Sequence, residues 1–193
     1  MNHESLFHIF IDALLINNFV LAVFLGMCSF LGLSGKYSTA WRMGGAVTFV
    51  ITVSSIFSYG INKLLVTFHA EYLRIITFIV IIAATVQLTE MFIKKTSPVL
   101  FRAMGVYLPL ITTNCAVLAV PLFQTSRSYN LLQSVVFALG ASAGYTMAMA
   151  ILSLIRERID LSDVPKLAHG MVVVLVLACI LSMSFMGFAG MGN

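Results

Sequence analysis

The sequence predicts an all-α integral membrane protein with six transmembrane helices, arranged as two inverted three-helix repeats whose first helices are interrupted. Three observations carry this. The chain has 193 residues, 60% of them hydrophobic and only 9% charged, where a soluble domain carries about 25% charge. Apolar segments of roughly the ~20 residues needed for one crossing recur along its length. Polar residues sit inside the first and fourth of these, at depths where lipid penalises them and where a broken helix persists only if protein or a cavity covers it. With so few charges and a mean hydropathy of +1.02, the formal charge of +4 is a topology code for loops and no sign of nucleic-acid binding.

The six spans are predicted near Leu6–Leu33, Met43–Ile61, Leu73–Ile93, Val99–Phe123, Leu131–Ile155 and Ala168–Gly190. The N-terminal Met1-Asn2-His3-Glu4-Ser5 lacks a basic region and a cleavage site of small residues, so the first segment is expected to remain as a span. Connections are short, which predicts one transmembrane domain over 1–193, with repeat 1 at about 1–95 and repeat 2 at about 96–193. The connections after spans one, three and five hold Lys36, Arg42, Lys94, Lys95, Arg102, Arg156, Arg158 and Lys166, against Lys63, Arg74 and Arg127 on the other side. An excess of Lys and Arg marks the cytoplasmic face, so both termini are expected on the outer side.

Span one carries Asp12, Asn17, Asn18 and Cys28. Asp12 reads as a cap or an interhelical hydrogen-bonding group near the outer boundary, with an ion site as the alternative. In span four, Pro109 removes a backbone donor and should break the helix. Thr112, Thr113, Asn114 and Cys115 follow. Asn17, Asn18 and Thr112–Asn114 are candidates for satisfying freed backbone or for lining an ion route. Asn18–Val23 echoes Asn114–Val120, while aligning Cys28 with Cys115 matches the spacing to the next span better, 15 residues to Met43 against 16 to Leu131. Three-helix repeats are inverted by their odd number and place a site at their interface near the midplane.

At ~1.5 Å per residue, Cys28 lies ~12 Å inward from Lys36 and Cys115 ~20 Å inward from Arg102. Both reach the bilayer interior. Membrane cysteines commonly serve as small packing residues; the functional alternative is ligation of a metal or an iron–sulfur cluster by thiolates. Clusters normally take four cysteines, so two thiolates would be half a site and the rest would come from another chain. Cys179, amid Val, Leu, Ala and Ile with no interruption nearby, reads as packing. Glu90 stands four residues before Lys94, a spacing suited to an ion pair at the cytoplasmic edge. Gly140-Ala-Ser-Ala-Gly144 permits close helix approach, and Gly44, Gly45 and Gly187 are expected to act likewise. The chain holds no G-x-G-x-x-G, Walker loop or nucleophile elbow. Soluble redox cofactors would therefore sit on partners.

Four blocks are more specific. INNFVLAVFLGMCSFLG (Ile16–Gly32), KKTSPVLFRAMGVYLPLITTNCAVLAV (Lys94–Val120), SLIRERIDLSDVP (Ser153–Pro165) and SFMGFAG (Ser184–Gly190) closely resemble the A subunits of the Rnf (Rsx) complex. That complex is the ion-translocating ferredoxin–NAD oxidoreductase of the bacterial inner membrane. The related E subunits of the sodium-translocating NADH–quinone reductase are the nearest alternative, and KTSPVL and TTNCAV look more like Rnf. The resemblance implies a multi-pass protein paired with a homologous E subunit of opposite orientation, alongside the B, C, D and G subunits, which carry flavins and handle NAD. It further implies a [2Fe–2S] cluster shared within the membrane, with Cys28 and Cys115 as this chain's two ligands, and coupled movement of Na⁺ or H⁺. Such a chain is not catalytic alone. A redox-free secondary transporter or channel component is the competing class, since broken helices with mid-depth Asn and Thr fit it equally.

Overall fold

The computed structural model describes residues 5–16, 18–29, 37–67, 73–96, 114–161 and 170–189. Every regular element among them is helical. Helix α1 (Leu6–Ile11) runs into a π-helical turn (Asp12–Ile16), followed by α2 (Phe19–Val23), a short helical turn at 27–29, α3 (Tyr37–Thr67) and α4 (Arg74–Thr96). The second half contributes α5 (Cys115–Ser126), α6 (Leu131–Asp160) and α7 (Met171–Ala189). Helices thus occupy all six predicted segments. Among the described residues, two, Tyr37–Thr67 and Leu131–Ile159, are long and apolar enough to cross a membrane unaided. Leu6–Ile16, Arg74–Leu88, Cys115–Ser126 and Met171–Gly187 are shorter apolar helices. Pro109, Thr112, Thr113 and Asn17 lie outside the described residues, as does the Glu90 side chain, so the proline break and the Glu90–Lys94 pair belong to the sequence reading alone.

Helices α3 and α6 make the most extensive contact and form the centre of the bundle. Met43, Val47 and Ile51 from α3 meet a core that includes Phe137, Met149 and Leu152 from α6, each no more than 2% exposed. The first span lies on α6, and glycines set how closely. A Cβ on Gly140 would stand 2.8 Å from the Phe10 carbonyl oxygen, and one on Gly144 would stand 2.8 Å from that of Leu14. The G-x-x-x-G pattern therefore serves packing inside the chain. Gly44 is similar, since a Cβ there would strike the Thr146 side chain. Gly45 and Gly187 meet nothing within this chain among the described residues, so of their two expected uses, packing inside the bundle or against a partner, the first does not apply there. Gly144→Leu forces the first span off α6, and the overpacking is expected to cost at least ~1–3 kcal/mol. The check is the unfolding temperature in detergent, which should fall clearly below wild type.

The outer surface is strongly apolar. Ile75, Ile76, Ile79 and Val80 of α4, and Val172, Val176, Ile180 and Met183 of α7, are all exposed. Soluble monomers rarely show apolar patches beyond a few hundred Å², whereas lipid tails cover such a surface without penalty. Cys179 is exposed on the same helix and does not pack inside the chain; Ala178 beside it does. Helix α7 is apolar on every side, so hydrophobicity could not indicate which stripe turns inward.

Two buried asparagines act as backbone partners where helices break. Asn18, 1% exposed, accepts from the Val20 N–H at 3.1 Å and so caps α2. Its amide donates to the Leu14 carbonyl at 3.3 Å and to the Gly144 carbonyl on α6 at 2.9 Å. Asn114 accepts from the Ala116 N–H at 3.0 Å, the same cap two residues on. The echo between Asn18 and Asn114 thus has a shared structural basis, that of N-cap side chains satisfying orphan donors. Within α2, the Leu21 carbonyl accepts from the Ser182 hydroxyl of α7 at 2.7 Å.

Asp12 is an interhelical partner. Its carboxylate lies 3.0 Å from the Arg127 guanidinium, which also donates to the Tyr129 hydroxyl at 3.0 Å. The Tyr129 hydrogen bond, ahead of Asp12, pushes the Arg127 pKa up, so the pair's cation persists throughout the accessible pH range. Arg127 is partly exposed, and such pairs are typically worth 0–1 kcal/mol, reduced by salt. Asp12→Asn should therefore lower the unfolding temperature only slightly, and less in high salt than in low salt.

Candidate functional site

The first span breaks a second time after α2. Phe24 and Gly26 both adopt left-handed backbone, with φ of 57° and 89°. For Phe24 this conformation costs roughly 1–2 kcal/mol, and strain of that kind gathers where function demands it. Chain direction then resets in the helical turn at 27–29, which carries Cys28. In the second half, α5 begins at Cys115, behind the Asn114 cap. Cys115 thus opens its helix directly after a non-helical residue, and Cys28 is the second residue of its helical turn, one after Met27.

The two openings meet. The Gly26 N–H points at Cys115 Sγ, 2.9 Å away, although 89 residues separate them. Two residues of chain span at most ~7 Å, so the Cys28 backbone lies within that reach of the glycine that meets Cys115. Both thiols are free and exposed on this chain. Behind them the site is closed. Ser29 and Tyr145 are 0% and 1% exposed, and their hydroxyls lie 2.6 Å apart. The Tyr145 hydroxyl is within electrostatic range of both Cys28 and Cys115. Asn114, 3% exposed, is buried beside this group.

Gly26 is the pivot. A Cβ there would meet the Tyr145 ring at 3.0 Å and Asn114 Oδ1 at 3.3 Å. Sequence reasoning had named Cys28, Cys115, Asn18 and Asn114, and the structure gathers the two cysteines and Asn114 around Gly26. Asn18 stands further along the same interface as a cap and a tie to α6. Gly26, Ser29 and Tyr145 were missed. The only signal was the position of Gly26 and Ser29 within LGMCS, flanking the cysteine; nothing in the sequence marks Tyr145.

Chemically, this arrangement offers two adjacent thiols at an outer edge, with one backbone donor aimed at a sulfur. Among the described residues no third Cys, His, Asp or Glu joins them. The donor set fits half of a tetrathiolate centre, and its exposure leaves room for a second protein surface to complete it. A closed zinc site, needing four ligands from one chain, is not what these residues supply.

A family described as "Rnf-Nqr subunit, membrane protein" matches residues 6–192. The chain belongs to the Rnf-Nqr family. Its relatives include the A subunit of the ion-translocating oxidoreductase complex of Glaesserella parasuis, 50% identical over 182 residues, 94% of each chain. The protein of the same name from Alkalilimnicola ehrlichii is 50% identical over 184 residues, 95% of each chain. That from Syntrophotalea carbinolica is 47% identical over 189 residues, 97% of this chain and 98% of its own. The resemblance to A subunits of Rnf complexes thus extends over nearly the whole length, and the family description agrees with the apolar exterior of α4 and α7 in making this a membrane protein.

Proposed function

We propose that this chain is a membrane component of an ion-motive electron-transport complex and holds half of an intersubunit [2Fe–2S] cluster through Cys28 and Cys115. The observation that carries the reading is the meeting of the two helix breaks, where the Gly26 N–H reaches Cys115 and brings the turn of Cys28 to it, with no third ligand among the described residues. Six spans in two inverted repeats, both termini outside, would set this site near mid-depth of the bacterial inner membrane. A homologous membrane protein, the E subunit, would bring the other two cysteines. Flavins and NAD would sit on the remaining subunits.

When bound, such a cluster supplies a one-electron relay that divides the ~30 Å hydrocarbon core into shorter gaps. The chain's own residues do the rest. Asn18 and Asn114 cap the helix starts so that broken backbone survives in a water-poor interior. The Gly26 N–H donates to the Cys115 sulfur, and such donors tune the potential of a thiolate centre. Tyr145, Ser29 and the α3–α6 core close the inner wall and keep water from the sulfurs. Movement of Na⁺ or H⁺ is coupled through the protein, with Asn17, Asn18 and Thr112–Asn114 as the candidate polar route.

Metal analysis of the chain co-purified with its homologous membrane partner tests this. Two irons and two acid-labile sulfides per pair, with an EPR signal on reduction, are expected. A pair free of iron and sulfide would instead support a redox-free transporter component.

A further inference from the structure

We propose that Tyr145 and Ser29 form a strap that fixes the Gly26 N–H against Cys115, so that both are positioning residues setting the reduction potential of the centre. This rests on Cys28 and Cys115 being cluster ligands, and it assigns a role to two residues on which that reading does not depend.

The direction of the strap follows from counting hydrogens. A serine hydroxyl has one hydrogen, and Ser29 donates it to the Gly26 carbonyl at 2.8 Å. The 2.6 Å contact with Tyr145 is therefore donated by the tyrosine. The chain of bonds runs from Tyr145 to Ser29 to the Gly26 C=O. The N–H of that same glycine donates to Cys115 Sγ at 2.9 Å. Residue 26 thus receives a hydrogen at its carbonyl and gives one at its amide, and chains of this kind polarise one another in a low-dielectric interior.

Gly26 needs external support. With φ at +89° it lies outside any helix ladder, and a glycine there has wide backbone freedom. What restrains it comes from α6, the most deeply packed helix. Tyr145 is 1% exposed and Ser29 0%, so water has little access to replace a lost partner. The edge of the tyrosine ring also lies 3.0 Å from where a Gly26 Cβ would be, which limits how far the turn can rock. An N–H aimed at a ligand sulfur favours the more negative, reduced state. Loosening the strap should therefore make the centre harder to reduce.

The test is EPR-monitored reductive titration of the co-purified membrane pair carrying Tyr145→Phe, Ser29→Ala or both. Phenylalanine keeps the ring against Gly26 and removes only the hydroxyl, so the pair should assemble with wild-type cluster content. Each single variant should lower the equilibrium constant for reduction by up to ~10-fold, a shift of up to ~59 mV to more negative potential for one electron. Because Tyr145 acts through Ser29, the double variant should shift no further than Ser29→Ala alone, as a double-mutant cycle reads. Wild-type potentials in both single variants, with the cluster present, would overturn the strap and leave the cluster reading intact. Fully additive shifts would overturn the relay from Tyr145 through Ser29. A wild-type pair without any cluster would overturn both readings together. If Ser29→Ala does not assemble, Tyr145→Phe decides by its potential.

Discussion

Cys115→Ser is expected to abolish the reduced-state EPR signal of the co-purified membrane pair while leaving assembly intact. Assembly should survive because the change is small and falls where serine is tolerated. Cys115 is the first residue of α5 and its side chain is exposed, so no core contact is lost. The cap depends on Asn114 Oδ1 and the Ala116 N–H, neither of which the substitution touches. The cluster should not survive, because a serine hydroxyl stays protonated where a thiol ionises, and a hard alkoxide is a poor replacement for the soft sulfur that iron–sulfur centres require. Cys28→Ser should do the same through the other sulfur. Loss of even an outer-shell partner typically costs a metal site 10–100-fold, so loss of a ligand should lower electron transfer through the pair by at least ~100-fold, or about 2.7 kcal/mol. Cys179→Ser is the control: its thiol is exposed on α7, away from the paired breaks, and its signal and turnover should match wild type. An undiminished signal in both the Cys28 and Cys115 variants would end the ligand assignment, whatever their turnover.

The helical membrane class could be read from hydropathy, because apolar segments of membrane length leave little choice of secondary structure. Leu131–Ile155 as predicted and Leu131–Asp160 as observed share their first residue, since Asn130 ends the preceding loop and starts a capping box with Gln133. The cysteines and both asparagines also stood out, because polar or reactive groups inside an apolar span are rare enough to be noticed singly. Their roles were harder to see. Asn18 and Asn114 were candidates for satisfying freed backbone or for lining an ion route, and their oxygens do the first by capping helices; only a backbone that has already broken there gives them that work. Tyr145 was invisible for a different reason. Aromatic residues are common in apolar spans, and its 2.6 Å contact with Ser29 joins positions 116 residues apart. Gln124 was equally silent. It is 2% exposed and exchanges hydrogen bonds with Ser55, accepting from its hydroxyl at 2.6 Å and donating to its carbonyl at 3.1 Å. Each depends on helix rotation, which a uniformly apolar sequence does not encode.

Gly26→Ala should damage the site through a single added methyl. Two independent penalties coincide there. A left-handed backbone costs a non-glycine residue ~1–2 kcal/mol, and φ at this position is +89°. The added methyl would also lie 3.0 Å from the Tyr145 ring and 3.3 Å from Asn114 Oδ1, and neither neighbour is free to retreat. Tyr145 is packed into α6 and Asn114 is holding the start of α5. Overpacking of this kind costs a further ~1–3 kcal/mol, so a total of ~2–5 kcal/mol is expected, relieved if the turn shifts away from α6. That relief moves the Gly26 N–H off Cys115 and swings Cys28 with it, separating the two thiols. Stability and cluster content should therefore fall together, read as a lower unfolding temperature and as less iron per co-purified pair. Gly45→Ala makes the matched comparison, since a Cβ there meets nothing within 4 Å and alanine favours the helix by about 1 kcal/mol over glycine. That variant should be as stable as wild type or more so, with full iron content. Equal behaviour of the two variants would mean that the turn at Gly26 is not what holds the cysteines together.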